Sequence, residues 1–216
     1  MTVFVCCLLI APFSAADQAG EMRVRWTVGP SFHLMSFDSE ELNDFIELYD
    51  LPPYQGFLWA PGVSSIIFLG DSLYLAPDIY FSRLSSRRHE NEAGLSYGWA
   101  TVDVGWTFYR GSVEHIVPFL GAGLSYTTLD MKLDREAPFE KAGRQSLQLE
   151  GGVATILLFP EREHRLLTSV SLRLGYMHQV PVSSWTGEGD DFARVPDVGP
   201  SGFFFRLEVG LGSYNF

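Results

Sequence analysis

Cysteine is nearly absent from this chain of 216 residues, because its two cysteines, Cys6 and Cys7, both lie in an apolar N-terminal segment. That segment ends in small residues at positions 14–16, which is typical of an export signal. We therefore expect residues 1–16 to be a cleaved signal peptide and residues 17–216 to form the mature domain. No basic residue precedes the apolar run, so a buried first strand is the alternative. A mature chain without thiols would exclude disulfide bonds and cysteine-bound metal.

A long apolar run is also missing from the chain beyond this N-terminal segment, although 46% of the residues are hydrophobic and the mean hydropathy is +0.07. A helical membrane span needs about 20 consecutive apolar residues, so we expect none. A transmembrane β-barrel accounts for both facts, because its lipid-facing residues alternate with lumen-facing ones and never form a continuous run.

Basic residues are few: 15 lysines and arginines stand against 26 aspartates and glutamates, which gives a formal net charge of −11. Proteins that bind nucleic acid cluster lysine and arginine on one face or along one helix. The sequence contains no such basic stripe. We therefore expect no nucleic-acid partner.

Apolar and polar residues alternate with a period of two along much of the chain, as they do in the strands of a membrane barrel. In residues 22–35, one face reads Val-Trp-Val-Pro-Phe-Leu and the other Arg-Arg-Thr-Gly-Ser-His. Residues 57–69 alternate only weakly, and their Pro61-Gly62 pair indicates a bulge or a bend. With this weak segment the pattern predicts eight strands. The six further clear segments are 73–82, 100–108, 116–126, 147–157, 169–176 and 203–211.

The connections between these strands alternate in length. Short connections and longer, charged ones in alternation are the arrangement of an outer-membrane barrel with its short turns on the periplasmic side. We therefore predict an all-β fold, a closed antiparallel eight-stranded up-and-down transmembrane β-barrel. Short connections are expected at 70–72, 110–112 and 160–164, and long ones at 36–56, 85–92, 130–144 and 181–201.

The first long connection contains a helix signal. Asp38-Ser39-Glu40-Glu41 has the spacing of a capping box, with Asp38 as the N-cap and Glu41 three residues later. Apolar residues then recur at helical spacing, and two prolines end the run. We expect a short amphipathic helix in the first external loop that packs on the barrel rim or, alternatively, contacts lipid headgroups or a partner. The apolar residues are Leu42, Phe45, Ile46 and Tyr49, and the run ends at Leu51-Pro52-Pro53.

A family resemblance rests on two short motifs. The sequence VPFLGAGLSY at 117–126 is similar to the PYxGxGxGY-type strand of the small outer-membrane barrels, the OmpA/OmpX-like and OmpW-like proteins. The ending with Tyr214 and Phe216 resembles the terminal signature read by the barrel-assembly machinery. The strand phase slips by one near Gly212-Ser213, so either a bulge lies there or the signature is coincidental.

This resemblance implies a location in the bacterial cell outer membrane. It also implies contact with outer-membrane lipid and lipopolysaccharide and insertion by the barrel-assembly machinery. We expect a monomer. The OmpW-like part of the resemblance implies a small channel.

Charged residues on the lumen-facing side of the predicted strands form the candidate site. The interior of an eight-stranded barrel is just filled by side chains. Isolated charges there would be costly, so we expect opposite charges to pair into a plug. A gated polar pore or a proton-linked site is the alternative. The predicted lumen charges are Glu150, Arg173, Arg206 and Glu208 on the later strands, with Asp78, Asp103 and Arg25 elsewhere.

Histidine is the residue type to test for catalysis or metal binding. His178 lies in a stretch that faintly resembles the Tyr-x-His-x-Ser motif of barrel lipid A deacylases, but Val180 stands at the serine position. Without that serine the histidine has no nucleophile to activate. The other histidines show no metal-ligand spacing, so we expect no catalytic residue, metal or cofactor. An acidic loop at 187–191 is expected to be solvated, with divalent cations that bridge lipopolysaccharide as the alternative.

The sequence thus predicts a non-enzymatic outer-membrane β-barrel with a structural or surface-interaction role and a lumen plugged by charged side chains. A small channel for apolar or small polar solutes is the alternative. A barrel enzyme that modifies lipid A comes third. Fold alone does not decide among them.

Overall fold

The computed structural model describes residues 23–36, 39–54, 56–132, 140–161, 165–187, 195–196 and 201–214. In this part of the chain, eight long strands, two two-residue strands and one helix follow one another. In chain order they are β1 (Val24–Ser36), α1 (Glu40–Glu47), β2 (Phe57–Leu69), β3 (Leu73–Arg88), β4 (Asn91–Trp106), β5 (Tyr109–Arg110), β6 (Glu114–Lys132), β7 (Glu140–Glu161), β8 (Leu166–Pro181), β9 (Thr186–Gly187) and β10 (Gly202–Tyr214).

The eight long strands form a closed barrel. Each strand pairs antiparallel with the next long strand in the chain, and β10 returns to pair with β1. Closure supplies partners for backbone N–H and C=O groups all around the ring, which a sheet in lipid requires because lipid offers none. The predicted fold, a closed eight-stranded up-and-down barrel, is confirmed. One end of the barrel carries the short turns (the short-turn end), and the other carries α1 (the long-loop end).

The two faces of the strands differ as the alternation predicts. On β4, the outward Val102 and Val104 are 50% and 49% exposed, whereas the inward Thr101 and Asp103 are 2% and 0% exposed. The same alternation runs through most of the other long strands, and β2 departs from it where Ser64, Ser65 and Ile66 are all buried. Most side chains that point away from the lumen are therefore apolar and exposed.

Two strand pairs are longer than predicted. Residues 85–92, expected to be a loop, are a continuation of β3 and β4 joined by a tight turn at His89 and Glu90. His89 has φ of 54°, in the left-handed region. Likewise β6 reaches Lys132 and β7 starts at Glu140, so the predicted loop 130–144 is shorter. The charged residues that suggested loops are compatible with strands because a hairpin that projects beyond the lipid needs no apolar face.

Of the bulge or bend predicted at Pro61-Gly62, the bulge is wrong and the bend stays a prediction. The pairing of β2 with β1 is continuous from Val24 opposite Leu69 to Ser36 opposite Phe57. The ladder with β3 ends at Gly62, so Pro61 lies just beyond the last residue of β2 that pairs with β3. The weak alternation has another cause, because the inner face of β2 is itself largely apolar. The buried residues of this inner face are Leu58, Ala60, Ser64, Ile66 and Phe68.

The phase slip at the end of β10 involves no bulge either. The register with β1 is unchanged from His33 opposite Arg206 to Arg25 opposite Tyr214. Tyr214 therefore points inward, where it is buried and donates a hydrogen bond of 3.1 Å to the backbone carbonyl of Glu161. Phe216 lies outside the described residues, as does the predicted signal peptide at 1–16.

The predicted helix is confirmed, but it starts one residue late. Ser39, not Asp38, is its N-cap residue, and no side-chain capping hydrogen bond forms there. Asp38 lies outside the described residues. In the part of the chain that the structure covers, no helix is long and apolar enough to span a membrane.

Candidate functional site

Two acidic residues and a glycine form a row across three neighbouring strands. Asp103 on β4 is opposite Gly121 on β6, which in turn is opposite Glu150 on β7. A Cβ atom at Gly121 would collide with the Asp103 carboxylate and lie 2.8 Å from Cγ of Glu150. The glycine thus leaves the space in which the two carboxylates approach each other.

Two arginines project into the lumen from the opposite wall. Arg173 on β8 and Arg206 on β10 are directly opposite each other in the register, and both are fully buried. Two like charges on adjacent strands repel each other. The surrounding carboxylates offset this repulsion between Arg173 and Arg206.

Arg173 bridges three acidic side chains. Its Nη1 lies 2.5 Å from Oδ2 of Asp78 and 2.9 Å from Oδ2 of Asp103, and its Nη2 lies 3.0 Å from Oε2 of Glu208. Nη2 also donates to the Ser64 hydroxyl at 2.6 Å. That hydroxyl in turn hydrogen-bonds to Asp78 and to Glu208. Ser64 was missed by sequence reasoning because it lies on the poorly alternating strand.

Arg206 makes a second set of ion pairs. It contacts Glu150 through both terminal nitrogens, with Nη1–Oε1 and Nη2–Oε2 distances of 3.1 Å each. Nη1 also lies 2.7 Å from Asp78 and 3.3 Å from Asp103. Paired, forked contacts of this kind are the strongest that arginine makes with carboxylates. The charge network, defined as Asp78, Asp103, Glu150, Arg173, Arg206 and Glu208, therefore joins five strands across the lumen.

Three carboxylates of the charge network lie close enough together to be compared with a metal site. Asp78, Asp103 and Glu150 place carboxylate oxygens within 4.8 Å of one another, a spacing that a metal ion could use. Nη1 of Arg206 already contacts all three of these side chains. The guanidinium group thus takes the position that a cation would occupy.

Arg25, the seventh predicted lumen charge, lies apart from the charge network. Its Nη1 is 3.3 Å from Nε2 of His115, and its guanidinium group lies 4.9 Å from the ring centre of Phe68. These residues are at the short-turn end of the lumen. Strand phase predicts that Arg25 faces inward but not how far along the barrel it lies from the other charges.

A layer of aromatic rings lies against the charge network. His33 accepts a hydrogen bond from Nε of Arg206 at 3.2 Å, and its ring centre is 5.1–5.2 Å from those of Tyr80, Trp99 and Phe204. The Arg206 guanidinium also lies 4.9 Å from the ring centres of Tyr80 and Phe204. His33 was not among the predicted site residues. Its inward phase was the signal that it belongs to the lumen.

The helix α1 covers the long-loop end. Leu42, Phe45 and Ile46 are buried in the same apolar cluster as barrel residues such as Met35 and Leu58. The segment after the helix is tied to the projecting β3–β4 hairpin. The ties are Ser86 Oγ to the Pro52 carbonyl at 2.5 Å, Arg88 to Asp50 at 2.8 Å, and Asn91 to the Tyr49 carbonyl at 3.0 Å.

Asn43 on α1 ties the helix to Tyr54, at the end of the segment that follows it. Residues 39–54 are called the cap, and replacing Asn43 tests how they are held. Its side chain accepts from the Tyr54 N–H at 2.7 Å and donates to the Tyr54 carbonyl at 3.3 Å. Asn43→Ala should destabilise the cap by about 1–3 kcal/mol, because two backbone groups lose their partner. Hydrogen exchange of amides in residues 39–54 should accelerate, whereas the barrel strands stay protected. The exposed neighbour Asp44→Ala is the control, and equal exchange in both variants would show that Asn43 does not fasten the cap.

His178, the candidate catalytic residue that the sequence argument rejected, points outward and is exposed on β8. Among the described residues, it forms no hydrogen bond with a serine. Ser183 is engaged elsewhere, since its hydroxyl accepts from the Gln145 N–H at 3.1 Å. Most of the predicted acidic loop, from 188 onward, lies outside the described residues.

Comparison with known proteins adds little. No known protein family matches the sequence, and no curated protein matches it. Among solved structures, the chain is similar to Ail, the attachment invasion locus protein of Yersinia pestis, with 10% identity and a TM-score of 0.46 over 91% of this chain and 100% of that one. It is also similar to a major outer membrane protein from Thermus thermophilus, with 12% identity and a TM-score of 0.46 over 88% and 99%. Neisserial surface protein A gives 15% identity and a TM-score of 0.39 over 88% and 97%. Similarity this low does not extend to function.

Proposed function

We propose that this chain is a non-enzymatic outer-membrane barrel with a structural or surface-interaction role, whose lumen is closed by its own side chains. The observation that carries the proposal is the charge network, in which two fully buried arginines bind four carboxylates from β3, β4, β7 and β10. Buried ions of this kind are tolerated only when closely paired. They fill the lumen at the level where a solute would have to pass.

The outer surface supports insertion into lipid. Aliphatic side chains such as Leu120, Leu124 and Leu174 are 75%, 67% and 54% exposed, which water would disfavour and lipid would not. Exposed aromatic rings lie toward both ends of this band, as in the girdles of membrane barrels. Toward the short-turn end they include Trp26, Trp106 and Phe159, and toward the long-loop end Trp59, Phe81, Tyr176 and Phe203.

Export and assembly follow as part of the same proposal. Residues 1–16 would direct the chain across the inner membrane, and the barrel-assembly machinery would insert the barrel. The continuous register of β10 removes the bulge that the terminal signature at Tyr214 and Phe216 would need, so the proposal does not depend on that signature. The barrel would then sit in the outer membrane as a monomer in contact with lipid and lipopolysaccharide, with the short-turn end toward the periplasm.

Three layers support a closed rather than a conducting lumen. The charge network lies in the middle. The rings around His33 follow it toward the long-loop end, and the apolar face of α1 covers that end. A channel would need each layer to open. His178 is exposed and forms no hydrogen bond with a serine in the part of the chain that the structure describes, which supports a role without catalysis.

Conductance and fractionation test this proposal. The protein should be recovered with the outer membrane, and its migration on a gel should change on heating because a folded barrel resists detergent. In planar bilayers the purified barrel should show no steady open state. Steady, large conductance by the unmodified protein would instead make it a channel, and recovery as a soluble periplasmic monomer would rule out a membrane barrel.

A further inference from the structure

A second group of cationic side chains lies at the short-turn end, well separated from the charge network. It surrounds a cavity of about 130 Å³. A water molecule needs about 10–15 Å³ of such space, so several waters or one tetrahedral anion fit within it. Its lining includes Arg23, Arg25, Arg110, His115, Asp71 and Tyr214.

Arg25 lines this cavity and has an N–H donor group without a partner among the described residues. Nη1 donates to Nε2 of His115 at 3.3 Å, whereas the buried Nη2 has no hydrogen-bond partner among the described residues. An arginine can only donate. Nε2 of His115 must therefore be unprotonated, and the imidazole adds no charge. A buried cationic donor without a partner is costly, and an anion would relieve that cost.

Arg110 is held at the rim by one carboxylate. Its Nη1 lies 2.7 Å from Oδ1 of Asp71, and both side chains are about half exposed. The hydrogen bond from Arg110 lowers the pKa of Asp71, so this turn residue is ionised at neutral pH. Among the described residues that line the cavity, Asp71 is the one carboxylate side chain, beside Arg23, Arg25 and Arg110. Arg25 and Arg110 thus outnumber it at this mouth, on a chain whose formal net charge is −11.

We propose that this cavity binds a phosphate group, with Arg25 as the main donor and Asp71 as a competitor for Arg110. Guanidinium groups match phosphate oxygens in geometry and bind them with strong, charge-assisted hydrogen bonds. The phosphate could be free inorganic phosphate or the headgroup of an anionic phospholipid. The lipid source rests on the proposed function, because only a barrel in the membrane places this mouth at a leaflet of phospholipids.

Calorimetric titration of the purified full-length barrel in zwitterionic detergent, at fixed ionic strength, tests the proposal. Inorganic phosphate is one probe and short-chain phosphatidylglycerol is the other. Arg25→Gln should weaken binding of the active probe about tenfold or more. Asp71→Asn should strengthen it severalfold, because Arg110 is then released to the anion. Arg88→Gln, which breaks an exposed ion pair at the opposite end, should change nothing.

The outcomes separate the sources. Binding of inorganic phosphate alone identifies a free-anion site, and binding of phosphatidylglycerol identifies a headgroup site. Failure of both probes to bind saturably overturns the proposal, as does equal binding by the Arg25→Gln and Arg88→Gln variants. If Arg25→Gln fails to fold, Asp71→Asn decides, since unchanged or weaker binding by that surface variant contradicts the proposed competition. None of these results depends on whether the lumen conducts, so the proposed function is tested separately.

Discussion

Arg173→Ala should lower the free energy of unfolding by about 3–5 kcal/mol, because it leaves the buried Glu208 without its cation and leaves Asp78 and Asp103 with Arg206 alone. Arg173 pairs with Asp78, Asp103 and Glu208, all of which are essentially inaccessible to solvent. Urea unfolding in phospholipid vesicles, followed by tryptophan fluorescence, would measure the loss. If the truncated side chain also leaves a water-filled gap, the variant should conduct in planar bilayers more than the unmodified protein does.

A neighbouring residue supplies the control for this prediction. Ser171 is buried on the same face of β8, and its hydroxyl has no hydrogen-bond partner among the described residues. Ser171→Ala should therefore change stability little. Combining Arg173→Ala with Glu208→Gln should recover part of the loss, because Arg173 is the arginine that pairs with Glu208 and the double variant removes the stranded charge with its partner. An Arg173→Ala barrel as stable as the Ser171→Ala barrel would show that the network does not hold the lumen together.

Val102→Arg should cost about 2–4 kcal/mol, because it places a charge on the lipid face near the middle of the apolar band. The depth of Val102 in the apolar band follows from the register of β4 with β3. Val102 lies four residues from Trp106 at one aromatic level, and four from Gly98, which is opposite Phe81 at the other. The same unfolding measurement in vesicles would detect the change.

Two variants control for depth and for packing. Phe108→Arg, at the short-turn end of the band where an arginine reaches the interface, should cost about 0–1 kcal/mol. Val102→Leu keeps the position apolar and should be close to neutral. If Val102→Arg and Phe108→Arg were equally tolerated, the band around the barrel would not be in contact with hydrocarbon.

Much of the barrel could be predicted from the sequence because the information is local. Side chains alternate across a strand with a period of two, so the faces of 73–82 or 203–211 are decided by residues next to one another. The pattern also predicts that Glu150, Arg173, Arg206 and Glu208 share one side. Prediction failed where the same residues are compatible with two structures. The charged residues of 85–92 are compatible with a loop and with a projecting hairpin. Pro61 is compatible with a bulge and with an unpaired strand edge.

The alternating sequence alone thus determined the number of strands, their faces and the closed ring, because all of these follow from a short-range period and from the need to pair every strand edge in lipid. Only the tertiary structure decided which charges meet. Arg173 reaches Asp78 across the lumen, and Gly121 makes room for Asp103 and Glu150, because register and side-chain length act over the whole barrel. The same cause places Arg25 at the short-turn end, outside the charge network and beside a cavity of its own.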